Sequence, residues 1–497
     1  MAAERCVCLH GHFYQPPREN PWTGRIEPQP SAHPYHNWNE RVAAECYAPN
    51  AQARILSESG QILALQNNYA HISFDFGPTL LSWMERAAPQ TYAAVLEADR
   101  ASHGAIAQAY HHVILPLANA RDRATQIWWG KRDFEHRFGR APEGMWLPET
   151  AANLETLEDL AAADIRFTVL APRQARRVRR FGSRQWQDVS GGRVESRWPY
   201  LVRLPSGRSI TVFFYDAGLA QGIAFEGLLH DGARLASRLA SVTDSRPCEP
   251  QLVSAATDGE SYGHHHRFGE MALAAAVRFL HGDARVRLTT YAGFLAAHPA
   301  VREAEIVDNS SWSCAHGLER WRTDCGCRTG SPAHWRQAWR APLRAALDWL
   351  RDQLACAWEK EAGIWLWNPW AARQEFINLI LDPCPSSQVA FLGRHARAAL
   401  TPEQQSGLWS LLQLQTNAML MYTSCGWFFD DISGIESAQI LAYAARAVEL
   451  ARATLDLDLE PDLLVRLDAA PSNRPEVGTG RAVYLAQLPH RAAAAGA

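Results

Sequence analysis

Over roughly its first 300 residues the chain repeats one pattern, a short apolar run, a loop, then a stretch of helical spacing. Apolar runs at 7–9, 72–76, 144–147, 165–170, 210–215, 252–256 and 286–289 read as strands. Residues 41–59, a segment opening near Pro78, 153–163 and 269–281 read as helices, Pro78 suiting a first turn. Strand, loop and helix repeated this often predict an α/β fold with a parallel sheet and helical crossovers. About seven such units favour a sheet closed into a barrel over an open one. The polar residues singled out below follow the strands, at the end where parallel barrels carry their active sites. From about residue 333 the pattern turns helical, over 334–359, 370–382, 387–399, 402–424 and 434–455. The expected divisions are a catalytic barrel over 1–308, a Cys/His/Trp-rich linker over 309–332, a helical domain over 333–460 and a loosely ordered tail over 461–497.

A chain of 497 residues is too long for one ordinary core and suits a barrel with a smaller domain. Its formal charge of −3 lacks the basic excess of a nucleic-acid footprint. The arginine-rich run 173–180 reads as a solvated loop or helix face. No segment has the run of about 18 apolar residues that a membrane span needs. The opening MAAERCVCLHGHF carries charges where a signal peptide would be apolar. The ten cysteines are scattered apart from Cys6/Cys8 and Cys325/Cys327, which is no disulfide scaffold. A cytoplasmic location follows, with neither nucleic acid nor membrane as partner. The 19 tryptophans are more telling, since a flat ring that also donates a hydrogen bond suits a sugar.

Reactive side chains crowd the predicted strand ends. His10 and His12, two apart on a strand, face the same side. They suit a metal, a substrate or a structural role alike, with Gln15 close behind. Glu149 follows Pro148 and Trp146; it reads as a reactive carboxylate or simply as a first-turn residue favoured by a helix dipole. Asp258-Gly-Glu260 runs on to His264, His265 and His266, too many titratable groups for a core and a poor recipe for a helix. Trp312 precedes Cys314 and His316, with Cys325 and Cys327 beyond. Those four could close a tetrahedral zinc site, but C-x-H and C-x-C are not the usual spacing. Reduced cysteines packed beside a substrate loop are the preferred reading. Near Trp427, Asp430 and Asp431 the alternatives are a capped helix end or a ring and acid that hold a sugar. Glu149 and Asp258 follow different strands, and carboxyls about 5–5.5 Å apart would support a two-step retaining mechanism.

In kind and order these motifs resemble glycoside hydrolase family 57 over most of residues 6–320. His12…Gln15-Pro16 resembles its first motif, 144–149 its nucleophile motif, 257–260 its acid/base motif and Trp312 with its neighbours its last barrel motif. The resemblance implies an incomplete TIM-like (β/α)7 barrel followed by an all-helical C-terminal domain. It implies a retaining glycoside hydrolase or transglycosylase, of α-amylase, 4-α-glucanotransferase or branching-enzyme type. The substrate would be an α-glucan or oligosaccharide, with Glu149 as nucleophile, Asp258 as general acid/base and no cofactor or metal. We expect Glu149 to be ionised, and Asp258 to keep its proton because Glu149 and Glu260 raise its pKa. Substrate contacts are expected from His10, His12, Gln15, Trp146, Glu260, His264, Trp312, His316, Trp427 and Asp430. The His-Gln-Pro motif is opened here to His12-Phe-Tyr-Gln15-Pro16, and the histidine run and Cys/His linker are additional, as in a divergent subgroup. Two rivals remain. A zinc-dependent polysaccharide deacetylase or mannosidase-like enzyme would use His10, His12, Asp75 and one of His264–His266 as ligands, with Asp258 as base. A non-catalytic glucan-binding protein would keep the fold alone.

Overall fold

A computed structural model describes residues 4–57, 59–242 and 248–488. They form two compact units, each assembled from separate stretches of chain. The first takes the residues up to Gln15, Pro28–Tyr110 and Phe134–Ser313; the second takes Pro16–Glu27, His111–Asp133 and the chain from Cys314 onward.

Seven of the strands among the described residues position the site in the first unit: β1 (Arg5–Phe13), β2 (Ser73–Phe76), β3 (Ala107–Gln108), β4 (Met145–Trp146), β5 (Phe167–Leu170), β6 (Ser209–Phe214) and β7 (Gln251–Asp258). The short strand Arg287–Leu288, expected at 286–289, also pairs in parallel with β1. β1 pairs in parallel with β7, from Arg5 opposite Gln251 to His12 opposite Asp258. It also pairs in parallel with β2, from His10 opposite Ser73 to Phe13 opposite Phe76. A parallel bridge joins Phe74 to Ala105 just before β3, and β3 pairs with β4. Another joins Gly144 to Phe167, and β5 pairs with β6. Past the end of β6 the Asp216 amide donates to the Ser254 carbonyl of β7 at 2.7 Å. β1 is buried along nearly its whole length, which explains why Cys6, Val7, Cys8 and Leu9 run apolar without alternation. Cys6, Cys8, Trp146, Phe167, Val169, Phe213, Leu252 and Ala256 share one core beneath the polar strand ends.

Several expectations need correction. Residues 41–59 are not one helix: Trp38–Val42, a π turn at Ala43–Tyr47 and Ala48–Ala51 give way to a hairpin of Ala53–Leu56 with Ile62–Gln66. The apolar spacing of a helix runs on through Ile55 and Leu56, yet Gly60, at φ +80°, turns the chain back on itself. The run 173–180 is no loop or helix but contains the strand Ala175–Arg180, paired antiparallel with Arg302–Ile306. Two of its arginines pair across that ladder, Arg177 with Glu305 and Arg179 with Glu303. β3 escaped the sequence because two residues, Ala and Gln, carry no periodic signal.

The second unit is helical. Its longer helices are Arg340–Trp365, Pro385–His395, Pro402–Leu420 and Ile435–Leu455, with Pro369–Glu375 and Ile377–Leu381 between. Their starts are written in the sequence. The Asn368 side chain accepts from the Trp370 and Ala371 amides, and Thr401 with Gln404 makes a capping box ahead of Pro402. The stretch 461–488 is not loose, because Leu463, Leu467 and Tyr484 are fully buried on helices Glu460–Leu467 and Gly480–Leu485. Residues 489–497 of the expected tail lie outside the described residues. Among the described residues no helix is long and apolar enough to cross a membrane.

Candidate active site

The parallel register of the sheet gathers the reactive side chains. His12 lies opposite Asp75 on β2 and opposite Asp258 on β7, so three charged groups meet at one level of the sheet. Asp75 is fully buried and accepts from both histidines: His10 Nε2 lies 3.0 Å from Oδ1 and His12 Nδ1 2.8 Å from Oδ2. Desolvation lowers the pKa of the fully buried His10. Burial also works against the charge on His12, but Asp75, then Asp258 and Glu260, outweigh it and lift its pKa to about 9. The carboxylates around His12 thus favour its protonated form.

Glu149 follows β4 in an unusual backbone state. Its φ is +58° and that of Thr150 is +51°, two successive left-handed residues with side chains. Such conformations cost of order 1 kcal/mol or more each and persist only where the surroundings enforce them. Here the enforcement is visible. The Trp312 amide donates to the Glu149 carbonyl at 3.0 Å, Ser310 bridges Ala152, and Gln174 is hydrogen-bonded to both Thr150 and Ser310. The same strap serves the carboxylate. Trp312 Nε1 donates to Glu149 Oε2 at 3.0 Å and Ser313 Oγ to the same oxygen at 2.5 Å. No described residue donates to Oε1. Burial raises the pKa of Glu149 and the charge of Asp258 adds to it, while the Ser313 and Trp312 bonds and His12 pull it down.

Asp258 ends β7 and receives no hydrogen bond from the described residues. Water reaches it, yet the protein around it still raises its pKa by desolvation, with His12 opposing and Asp75 adding. The neighbours expected from the sequence, Glu149 and Glu260, are not the main cause; burial is. Glu260 is held differently. Its Oε1 accepts from the Tyr14 amide at 3.0 Å and the Tyr47 hydroxyl at 2.5 Å, and only 6% of the residue is exposed. Gly259 permits this tight approach, because a Cβ there would lie 2.2 Å from the Phe13 ring.

The structure sorts the expected substrate contacts. Trp312 is partly open and meets the buried Trp146 edge-on at 5.2 Å. Trp146 has no exposed surface; His10 and His12 stack on it at 4.8 and 5.0 Å, so it backs the histidines and offers no platform. Trp427 is likewise fully buried, packed between Tyr422 and Trp339 with Arg344 over its face, and cannot stack on a sugar. Asp430 is 5% exposed, and its Oδ2 accepts from Thr329, both amide and hydroxyl. His264 pairs with Glu45, and His266 with the Ala224 carbonyl. Gln15 donates to the Tyr14 carbonyl, and His316 lies beside the cysteines of the second unit. Sequence reasoning missed Ser313, which nothing marked, and gave Asp75 only to a rival. The signal for Asp75 was present, since a carboxylate inside the apolar run Ser73–Phe76 is buried only if partnered.

Two buried groups here bind protons more tightly in the folded chain than when unfolded. Burial, then Asp258, lifts Glu260 from 4.5 to about 7 against the Tyr47 bond, and His12 rises from 6.5 to about 9. The folded state therefore holds extra protons. The stability from Glu260 is complete below its unfolded value and is lost as pH rises towards about 7; that from His12 is lost as pH rises through about 9. Relative to Glu260→Gln, which still accepts both bonds but does not titrate, the wild type should lose stability between about pH 4.5 and 7 by on the order of a few kcal/mol, read by thermal denaturation of the pair. A difference between the two that stays level across that window would refute the assignment.

Comparison with known proteins follows the same outline. The model of glycosyl hydrolase family 57 matches residues 31–307, more than half the chain. The chain belongs to that family. A domain of unknown function matches residues 335–493. Among solved structures, an exo-type maltose-forming amylase from Pyrococcus sp. ST04 superposes with a TM-score of 0.67 at 15% identity, over 97% of this chain and 88% of that one. A family 57 branching enzyme from Thermococcus kodakaraensis gives 0.57 at 14% identity, over 96% of each. Alpha-amylase 1 of Dictyoglomus thermophilum is 27% identical over 100 residues, 20% of this chain and 15% of that relative's length. The likeness to solved family 57 structures establishes an α/β fold with a helical C-terminal region.

Proposed function

We propose that this family 57 protein is a retaining glycoside hydrolase or transglycosylase acting on α-glucans, with Glu149 as nucleophile and Asp258 as general acid/base. The observation that carries the reading is the unequal treatment of two carboxyls on one sheet. Glu149 receives two donors on one oxygen, which favour its ionised form and leave the other oxygen available to attack. Asp258 receives none, and the protein around it raises its pKa, which favours a retained proton. Burial raises the pKa of both, but only Glu149 has donors that oppose the rise, and carboxyls so distinguished suit the nucleophile and the acid/base of a retaining glycosidase. In the first step Glu149 forms a bond to the anomeric carbon as the glycosidic bond breaks, and Asp258 gives its proton to the departing oxygen. In the second, Asp258 takes a proton from water or a sugar hydroxyl, which displaces Glu149. His12, charged and fixed by Asp75, steadies both carboxyls and donates towards the substrate. The parallel chain of contacts from β7 through β1 to β6, with the Asp216–Ser254 bond at its ends, supports a seven-stranded barrel as the scaffold.

The zinc-dependent rival is less well supported. His10 and His12 point their nitrogens at the two oxygens of Asp75 in hydrogen bonds, and His264 and His266 are engaged elsewhere.

Incubation with amylose and with maltooligosaccharides tests the reading. New reducing ends mean hydrolysis, and chain lengths redistributed without them mean transfer. No change in any α-glucan would overturn the substrate class. Ser313→Ala provides a finer check. Losing this donor raises the Glu149 pKa, so the acid limb of kcat/KM should move to higher pH. Looser aim of the carboxylate should lower the plateau about 10- to 100-fold. An unmoved acid limb would remove Ser313 from the site.

A further inference from the structure

The second unit contains a cluster that the proposed reaction does not use. Cys314, His316, Cys325 and Cys327 place one ligand atom each within 4.8 Å of one another, and no other such group occurs among the described residues. The individual distances are informative. Cys314 Sγ lies 3.9 Å from Cys327 Sγ, and Cys327 Sγ lies 3.6 Å from His316 Nδ1. In a tetrahedron with Zn–S near 2.3 Å and Zn–N near 2.0–2.1 Å, the edges are about 3.8 Å between sulfurs and about 3.6 Å from sulfur to nitrogen. A disulfide would need sulfurs about 2.0 Å apart. The four groups are arranged around a shared centre, not bonded in pairs.

Local backbone explains how one-residue spacers achieve this. Gly326, between Cys325 and Cys327, takes φ +79°, which folds the chain so both thiols turn to one side. The turn at the other pair is closed by the Gly317 amide donating to the Cys314 carbonyl at 3.2 Å.

Charge supplies an independent argument. Arg340 is fully buried, its Nη1 lies 4.0 Å from Cys325 Sγ, and its Nη2 donates to the carbonyls of Phe428 and Phe429. No described carboxylate lies within ion-pair distance of it, and Asp430 acts only from further away. Four neutral ligands would leave that guanidinium poorly compensated. Three thiolates, a neutral imidazole and a divalent ion carry one net negative charge, which matches it.

We propose that Cys314, His316, Cys325 and Cys327 bind one zinc ion in a closed structural site. With four protein ligands no position is open for a reacting water, so the ion clips the 314–327 segment and is not a catalyst. Elemental analysis of the full chain, isolated under reducing conditions, should find one zinc per chain. Exchange into Co2+ should give the intense visible bands and sulfur-to-metal charge transfer of tetrahedral thiolate coordination. That measurement needs no variant and stands even if a ligand substitution impairs folding. Cys327→Ser should lose its metal to a chelator that leaves the wild type loaded, whereas Cys356→Ser, an exposed cysteine on the helix Arg340–Trp365, should behave as wild type. A wild-type protein without metal and without the cobalt spectrum, a Cys314–Cys327 disulfide in the freshly isolated chain, or stoichiometric iron in place of zinc would each overturn the proposal.

Discussion

Replacing Glu149 should stop glycosyl transfer almost completely, with a loss in kcat on the order of 10⁵- to 10⁶-fold, as for nucleophile deletions elsewhere. The size follows from the role. Without the carboxylate there is no covalent intermediate, and the reaction loses its two-step path. Glu149→Gln is the conservative variant, because the amide oxygen can still accept from Trp312 and Ser313. Its melting temperature should therefore stay near that of the wild type. Glu149→Gly adds a positive test. With an α-maltosyl fluoride donor, azide entering the vacated space should yield the glycosyl azide of inverted configuration. Wild-type-like turnover in either variant would end the assignment.

Removing Asp258 should produce a different signature. Asp258→Asn should slow cleavage of glucans about 10²- to 10⁴-fold, the usual contribution of general acid–base catalysis. Fluoride leaves without protonation, so α-maltosyl fluoride should be attacked at nearly the normal rate. The second step, which needs a base, should then be slow, and the glycosyl-enzyme should accumulate and be seen as added mass on Glu149. Azide should release it with retained configuration, opposite to the product from Glu149→Gly. If the poor and the good leaving group slow equally, Asp258 is not the acid.

Much of this site is legible in the sequence. Asp258 and Glu260 stood out because titratable groups crowded a strand end between glycines, and His10 and His12 because alternation placed them on one face. Their separate duties were not legible. Glu260 is made a support by Tyr47, which is distant in sequence, and Asp258 is left bare by what fails to approach it. Trp146, Trp312 and Trp427 show the same limit. All three have Gly, Pro or a polar residue within two positions in the sequence. Only Trp312 keeps an open face, because exposure is set by packing that one-dimensional order does not carry. The helices of the second unit were the most readable elements, since their caps and apolar spacing are local. The placing of 16–27 and 111–133 in that unit was unreadable, because nothing in those stretches names a partner 200 or more residues away.

That interleaving has a consequence for how the chain is made. β1 ends at Phe13, but its partner β7 begins at Gln251. At synthesis rates of about 5–20 residues per second, the first strand waits roughly 10 to 50 s for its neighbour. The stretch Pro16–Glu27 waits longer, for helices that follow residue 314. The first unit has all its segments once Ser313 is made, whereas the second still needs the chain from Cys314 onward, and no cut at a single peptide bond separates the two. The nascent chain carries a buried-type apolar strand with an open edge until β7 has been made. Its yield in the cell therefore depends on whatever shields that edge until then.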